Sequence, residues 1–575
     1  MIADLDEIRL PLDLNGEWFV CNGTNAEGMF PADISGTAGY RTVTIPSDLA
    51  GCFPEEPYAT GVFWFKKHFL LGEAYASKRL VLRFDAVNYS AHVYLNGKYL
   101  GFNDQGFLPF EMELTDEVRF NEINELTVRV DTRRKQGQLP TSFYWKNCGG
   151  IIRDVCIYCT CSSYIDDAFV EAHADGTAVF HTSIVSDMPL TQRIVVKDAA
   201  GELLHERLTS VCGGEYAVET QTENIVPWSM DVPSLYSAEI TLEDSGTVLD
   251  KRTVVFGYRD ITAADGKLYL NGQEVFLKGF NRHEDHPQCG GAACEEVVNA
   301  DFEMIKASGA NFVRMCHYPH DQRELDLADK LGLALLVEIP LCAYMGDTFG
   351  IEGSENKPQN EMVYANSCEC LKRMIRRDRN HPSVLIWSVS NENREPDNFE
   401  VLDNHKGLLQ LAKKLDPTRL ATHVSTYSTD PNCYNYFVYD DVICFNAYPT
   451  LNYRVERRNE NYDYSESQEM ITQTVEKIRK LYPHKPIVVT KFGYRTGIPF
   501  DSVDDEEIQA RAISAEFEAA CRCANGASIW LFADHLWPND HRLLSDVSRF
   551  GLLNRDRSKK LSYEVFCNLL KQKRG

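Results

Sequence analysis

Val384-Leu-Ile-Trp-Ser-Val-Ser-Asn-Glu-Asn393 is the stretch on which the fold turns. It is apolar without strict alternation and then abruptly polar. That pattern suits a strand buried on both faces of a parallel sheet. Similar runs flank it: Asn311-Phe-Val-Arg-Met315 and Leu333-Ala-Leu-Leu-Val337 before, and Val442-Ile-Cys-Phe445, Ile487-Val-Val489 and Ile529-Trp-Leu531 after. Helical spacing between them predicts helices near 320–331, 361–377, 398–415, 467–481 and 505–524. Strand–helix alternation through 263–575 predicts an α/β barrel of the (β/α)8 TIM type. No GxGxxG follows an early strand, which argues against a doubly wound sheet.

Upstream the chain is β-rich. Leu80, Leu82 and Phe84, then Val93 and Leu95, alternate up to an Asn96-Gly97 turn, a strong hairpin signal. Leu126, Val128 and Val130 repeat the two-residue period. Residues 1–162 therefore read as a jelly-roll-like β-sandwich. Residues 163–262 stay β with shorter predicted strands, such as Ile194-Val-Val196 and Thr253-Val-Val-Phe256, and fit an immunoglobulin-like β-sandwich.

The 575 residues carry 59 Lys and Arg against 84 Asp and Glu, a net charge of −25. Such an acid excess argues against a nucleic-acid binder and against a surface drawn to anionic lipid. No run of 18 apolar residues is present, so no membrane span is expected. The acidic start Met1-Ile-Ala-Asp-Leu-Asp-Glu7 lacks a secretory pattern, and a cytoplasmic protein is expected. The 18 cysteines are scattered, which suits mostly reduced thiols. Cys156, Cys159 and Cys161 hold one CxxC without a second pair, too little for a zinc site.

In a barrel the chemistry sits where strands end. The residues there are His317, Glu338, Asn391 with Glu392, Asn446 with Tyr448, Lys491, and Trp530 with Asp534. Aromatic faces stack on pyranose rings, while amides and carboxylates bind hydroxyls, so the set suits a carbohydrate. Glu392 is the sharpest candidate, because a carboxyl at the end of a buried strand has the partly desolvated setting of a general acid. On spacing alone, a strand-end salt bridge explains it equally well.

The chain resembles glycoside hydrolase family 2, the group of β-glucuronidases and β-galactosidases. The resemblance rests on Leu14-Asn-Gly-Glu-Trp18, Gly61-Val-Phe-Trp-Phe65, Val93-Tyr-Leu-Asn-Gly97, Gly149-Gly-Ile-Ile-Arg153 and Phe256-Gly-Tyr-Arg259. It continues in Lys278-Gly-Phe-Asn-Arg-His-Glu-Asp-His-Pro287, Asn311-Phe-Val-Arg-Met-Cys-His-Tyr-Pro319 and Trp387-Ser-Val-Ser-Asn-Glu-Asn393. It implies retaining hydrolysis of β-glycosides without a redox cofactor, and a homo-oligomer, since the family often forms dimers or tetramers. It also implies that Glu392 is the acid/base and that Asn391 holds the sugar 2-hydroxyl. His317, Tyr448 and Trp530 match pocket-lining positions.

The retaining mechanism needs a second carboxylate about 5 Å away as nucleophile. The family places it in a Thr-Glu-Tyr-Gly-like motif, and this chain reads Val488-Val-Thr-Lys-Phe-Gly493. Lys491 holds the nucleophile position. An ammonium is no nucleophile, and it would tie Glu392 into an ion pair. Three readings follow: a glycosidase with impaired retaining chemistry, a non-catalytic carbohydrate-binding homologue, or an inverting variant. Inversion would use Glu338 or Asp534 to activate water, with carboxyls about 6.5–9.5 Å apart.

The resemblance leaves the sugar open. The Asn-x-Lys of the glucuronidases is missing from Ser548-Arg-Phe-Gly551, and Cys342 and Tyr344 replace the Glu-x-His of the magnesium-dependent galactosidases. His283-Glu-Asp-His286 looks metal-like in composition, but its spacing is not HExxH, and hydrogen bonding is the expected role. No metal or cofactor is expected.

Overall fold

The computed structural model describes residues 8–9, 11–23, 39–133, 135, 137–141, 145–342, 357–393, 399–426, 436–452, 464–496, 505–538 and 546–573. Met1–Glu7 and Tyr344 lie outside the described residues.

Apolar alternation in the first 160 residues folds into a six-stranded and a four-stranded antiparallel sheet, with a two-stranded ribbon beside them. Their facing side chains, among them Trp18, Phe65, Leu82, Phe84, Val93 and Val128, form one buried core. The Asn96-Gly97 turn joins Ser90–Leu95 to Lys98–Asn103. Both turn residues have positive φ, at 52° and 83°, as a two-residue hairpin requires.

The second sandwich packs a three-stranded sheet on a four-stranded one around Phe180, Ile194, Ile240 and Phe256. Its strands are not short. Leu203–Val211 and Thr247–Phe256 run for 9 and 10 residues. Leu203–Val211 is mostly exposed, so polar and charged residues occupy positions that a core strand would fill with apolar ones.

The remainder closes into an eight-stranded parallel barrel. Its strands are Leu277–Arg282, Phe312–Met315, Ala334–Glu338, Val384–Asn391, Leu420–Thr426, Ile443–Asn446, Ile487–Lys491 and Gly526–Ile529. A three-stranded sheet (Ile261–Ala264, Lys267–Leu270, Gln273–Glu274) packs Ile261, Leu268 and Leu270 against the barrel residues Phe312, Leu336, Ile386 and Val488. No helix of the described residues is long and apolar enough to cross a membrane.

The first sandwich also reaches the barrel. Thr141 Oγ1 donates to the Cys342 carbonyl at 2.8 Å and accepts from its amide at 3.0 Å. Arg153 pairs with Glu284 at 3.1 Å and donates to the Pro319 carbonyl at 2.8 Å. Trp145 packs against Tyr318, His283 and His317, with ring centroids 5.2–6.1 Å apart.

Among the described cysteines, Cys289 and Cys294 form a disulfide, and Cys156, Cys159 and Cys161 are free.

Candidate active site

Several polar side chains meet inside the barrel near its C-terminal end. Arg314 is fully buried and donates to Glu338 at 2.7 Å and to Asn391 at 2.8 Å. Glu338 also accepts from Ser388 at 2.7 Å and contacts His317 Nδ1 at 2.7 Å. Both its oxygens are thus engaged by protein donors, which is how a carboxylate survives full burial. Asn446 donates to Asn391 at 3.1 Å and to Glu392 Oε1 at 2.5 Å.

Glu392 lies one residue beyond the fourth strand, with its amide bound to the Val424 carbonyl at 2.8 Å. Its φ is +52°, the left-handed region that non-glycine residues keep only where their surroundings over-determine it. Lys491 closes the seventh strand and is buried. Its ammonium lies 3.5 Å from Glu392 Oε1, 3.1 Å from His317 Nε2 and 4.1 Å from the Trp530 ring centre.

Burial, and then the Lys491 charge, hold the His317 imidazole well below its usual range, which favours the neutral ring. Its Nδ1 faces the Glu338 carboxylate and carries the proton. Its Nε2 therefore presents a lone pair to Lys491. His317 stacks on Trp530 with ring centroids 5.5 Å apart. Trp530, Cys316, Leu531 and Phe550 form an apolar group against which Tyr448 packs.

His317, Glu338, Asn391, Glu392, Lys491, Trp530 and Tyr448 thus assemble together, along with Asn446. Asp534 is not drawn into this network. Its carboxylate pairs with Lys560 at 2.9 Å and accepts from the Gly551 amide at 2.8 Å. Burial raises it to about 6. Arg549 is exposed. Cys342 is buried and accepts a hydrogen bond from Asn391 at 3.3 Å.

The run His283–His286 splays apart. Glu284 pairs with Arg153, Asp285 with Arg555 at 2.7 Å, and His286 Nδ1 accepts from the Gln288 amide at 3.2 Å. His283 turns toward the pocket instead, stacked edge-on to Trp530 with centroids 5.4 Å apart. His283, Cys316, Arg314 and Trp145 also border the site, though their place there was not evident from sequence. His283 follows the last residue of the first barrel strand directly, so its position at a strand end was the available signal.

Residues 261–569 match the family model described as glycosyl hydrolases family 2, TIM barrel domain. Residues 8–161 match the sugar binding domain of that family, and 163–259 match its third model. A β-galactosidase of Thermoanaerobacter pseudethanolicus is 30% identical over 412 residues, covering 68% of this chain and 52% of the relative. The β-glucuronidase of Rattus norvegicus is 26% identical over 553 residues, covering 87% and 80%. The chain spans about half or less of the length of the first β-galactosidases it matches. In fold it is similar to the β-glucuronidase of Ruminococcus gnavus, with a TM-score of 0.89 at 24% identity over 100% of this chain and 99% of that one. With its barrel, both sandwiches and its strand-end residues arranged in this way, the chain belongs to glycosyl hydrolase family 2.

Proposed function

We propose that this chain recognises a β-glycoside of the galactoside or glucuronide class, and that its double-displacement hydrolysis is absent or very low. In this reading Glu392 is the acid/base and Lys491 stands at the nucleophile position. One observation carries it: the Lys491 ammonium lies 3.5 Å from Glu392 Oε1.

Retention needs two carboxyls about 5–5.5 Å apart, one to attack the anomeric carbon and one to protonate the departing oxygen. An ammonium has no lone pair for the attack. It also sets positive charge beside an oxocarbenium-like transition state. The remaining side chains suit a sugar: Asn391 and Glu392 for hydroxyls, and Trp530, Tyr448 and His317 for ring faces. Inversion through Glu338 or Asp534 has less support, because protein donors already bind both carboxylates. The names of the relatives, β-galactosidase and β-glucuronidase, support the substrate class.

The test compares the chain as it stands with Lys491→Glu on aryl β-galactosides, β-glucuronides and β-glucosides. Only Lys491→Glu is expected to turn over, and the sugar it accepts identifies the recognised glycoside. Adding Glu392→Gln to that variant is expected to lower kcat/KM about 10²–10⁴-fold. Equal turnover by the chain as it stands would overturn the reading.

A further inference from the structure

Ligand atoms of His283, Cys316 and His317 lie within 4.8 Å of one another, and all three residues are buried. From this geometry we infer a binding site for a thiophilic d¹⁰ cation, Zn²⁺ first among them, held by the Cys316 thiolate and the two imidazoles. Two imidazoles and a thiolate are a donor set that zinc accepts.

A second observation points the same way. His283 Nε2 is buried and has no hydrogen-bond partner. An unmatched buried nitrogen is costly unless something occupies it. The ring is otherwise held: Tyr318 Oη lies 3.4 Å from Nδ1, and His535 stacks on it with centroids 4.7 Å apart.

His317 is prepared as a ligand in the same way. Its Nδ1–H donates to Glu338 at 2.7 Å, which leaves the Nε2 lone pair outward. A carboxylate behind a histidine is the outer arrangement that metal-binding imidazoles use. A cation already occupies that lone pair, the Lys491 ammonium at 3.1 Å. Lys491 has a second partner in Glu392 at 3.5 Å, so an arriving metal displaces it from His317 without leaving it unpaired. Cys316 gives its proton to solvent on ligation and releases its present contact, Sγ to the Arg282 carbonyl at 3.2 Å. The set lies beside Lys491 and Trp530 and shares His317 with the proposed glycoside site, but it does not require that glycosides be hydrolysed there.

The experiment titrates the full-length reduced protein with Co²⁺ and Zn²⁺. One Co²⁺ is expected to bind with a thiolate-to-metal charge-transfer band, which Zn²⁺ abolishes by replacement. Cys316→Ser is expected to remove the band, and His283→Gln to weaken binding by more than about tenfold. Lys491→Met removes the competitor for His317 Nε2 and is expected to tighten Zn²⁺ by about tenfold or more. A spectrum without the thiolate band, a band that survives Cys316→Ser, or an unchanged affinity in Lys491→Met overturns the site. If Cys316→Ser does not fold, zinc K-edge EXAFS of the unmodified protein with one equivalent of Zn²⁺ decides. One sulfur near about 2.3 Å and two nitrogens near about 2.0–2.1 Å are expected, and a shell of oxygens alone overturns the inference.

Discussion

Two buried charged groups lie on the same end of the barrel and are built on different terms. At the junction with the first sandwich, Arg282 bridges Asp301 at 2.9 Å and Glu324 at 2.5 Å, while His320 binds Glu324 at 2.8 Å. Arg153 meets Glu284 at 3.1 Å beside them. In the pocket, Lys491 reaches Glu392 only at 3.5 Å and shares a neutral nitrogen of His317. His283 keeps a nitrogen without partner. The first group is closed, as structural charge in a low-dielectric interior has to be. The second leaves valences open, which costs stability and suits a place where a ligand completes the bonding.

The largest effect expected from this contrast is in the closed group. Arg282→Met leaves Asp301 and Glu324 buried with a cation missing, and is expected to cost about 3–5 kcal/mol. The denaturant midpoint of unfolding reads it. A loss below about 1 kcal/mol would erase the distinction between the two groups.

Glu516 sharpens the comparison, because it is buried with backbone donors in place of a cation. It accepts from the Gly493 amide at 2.9 Å and the Thr450 amide at 3.2 Å, and burial raises its carboxyl from 4.5 to about 8. Between those values the folded chain holds a proton that the unfolded chain has released. Stability therefore falls as pH rises from about 4.5 toward about 8, then levels off. Glu516→Gln has no such proton. Its Tm advantage over the parent should be small near about pH 5 and largest near about pH 8. A constant offset across that range would show that Glu516 does not retain the proton.

The smallest effect belongs to the open group. Lys491→Met leaves Glu392 with Asn446 at 2.5 Å and a side chain 19% exposed to water. Its cost is expected to stay below about 2 kcal/mol in the same unfolding experiment. A cost equal to that of Arg282→Met would make the pocket a structural ion pair.

Much of this was readable beforehand. Five of the eight barrel strands are apolar runs, since a strand buried on both faces has few polar positions to spare, and the expected run Ile529-Trp-Leu531 meets the eighth strand Gly526–Ile529 only at Ile529. The two strands that pattern alone did not reveal carry polar residues that are nevertheless buried. Leu420–Thr426 contains Thr422, His423 and Ser425. Leu277–Arg282 contains Lys278 and Asn281, each paired with a distant element, and Arg282, paired with Asp301 and Glu324 on the next two helices. Lys278 donates to the Leu570 carbonyl at 2.6 Å, and Asn281 to the Thr490 carbonyl at 2.8 Å. Such partners lie more than 200 residues away, so local pattern cannot report them. The small sheet after the second sandwich did leave a signal, because Asp265-Gly266 and Asn271-Gly272 are hairpin turns with positive φ at all four residues.

Asp534 marks the other limit. Strand-end position suggested a pocket residue, yet it lies five residues past Ile529 and pairs with Lys560. His283 went the opposite way, since its acidic and basic neighbours found partners elsewhere and left it alone at the pocket.

The sequence by itself determined the layers of the molecule and the lysine at the end of the seventh barrel strand, because burial periodicity and residue identity are local properties. Tertiary structure decided the partners: which nitrogen of His317 faces Lys491, which carboxylates are closed by arginine, and that His283 comes to lie near Cys316 and His317. His317 and Lys491 are 174 residues apart and touch only because the barrel closes. Distances of that kind arise from closure of the whole sheet, which no stretch of sequence encodes alone.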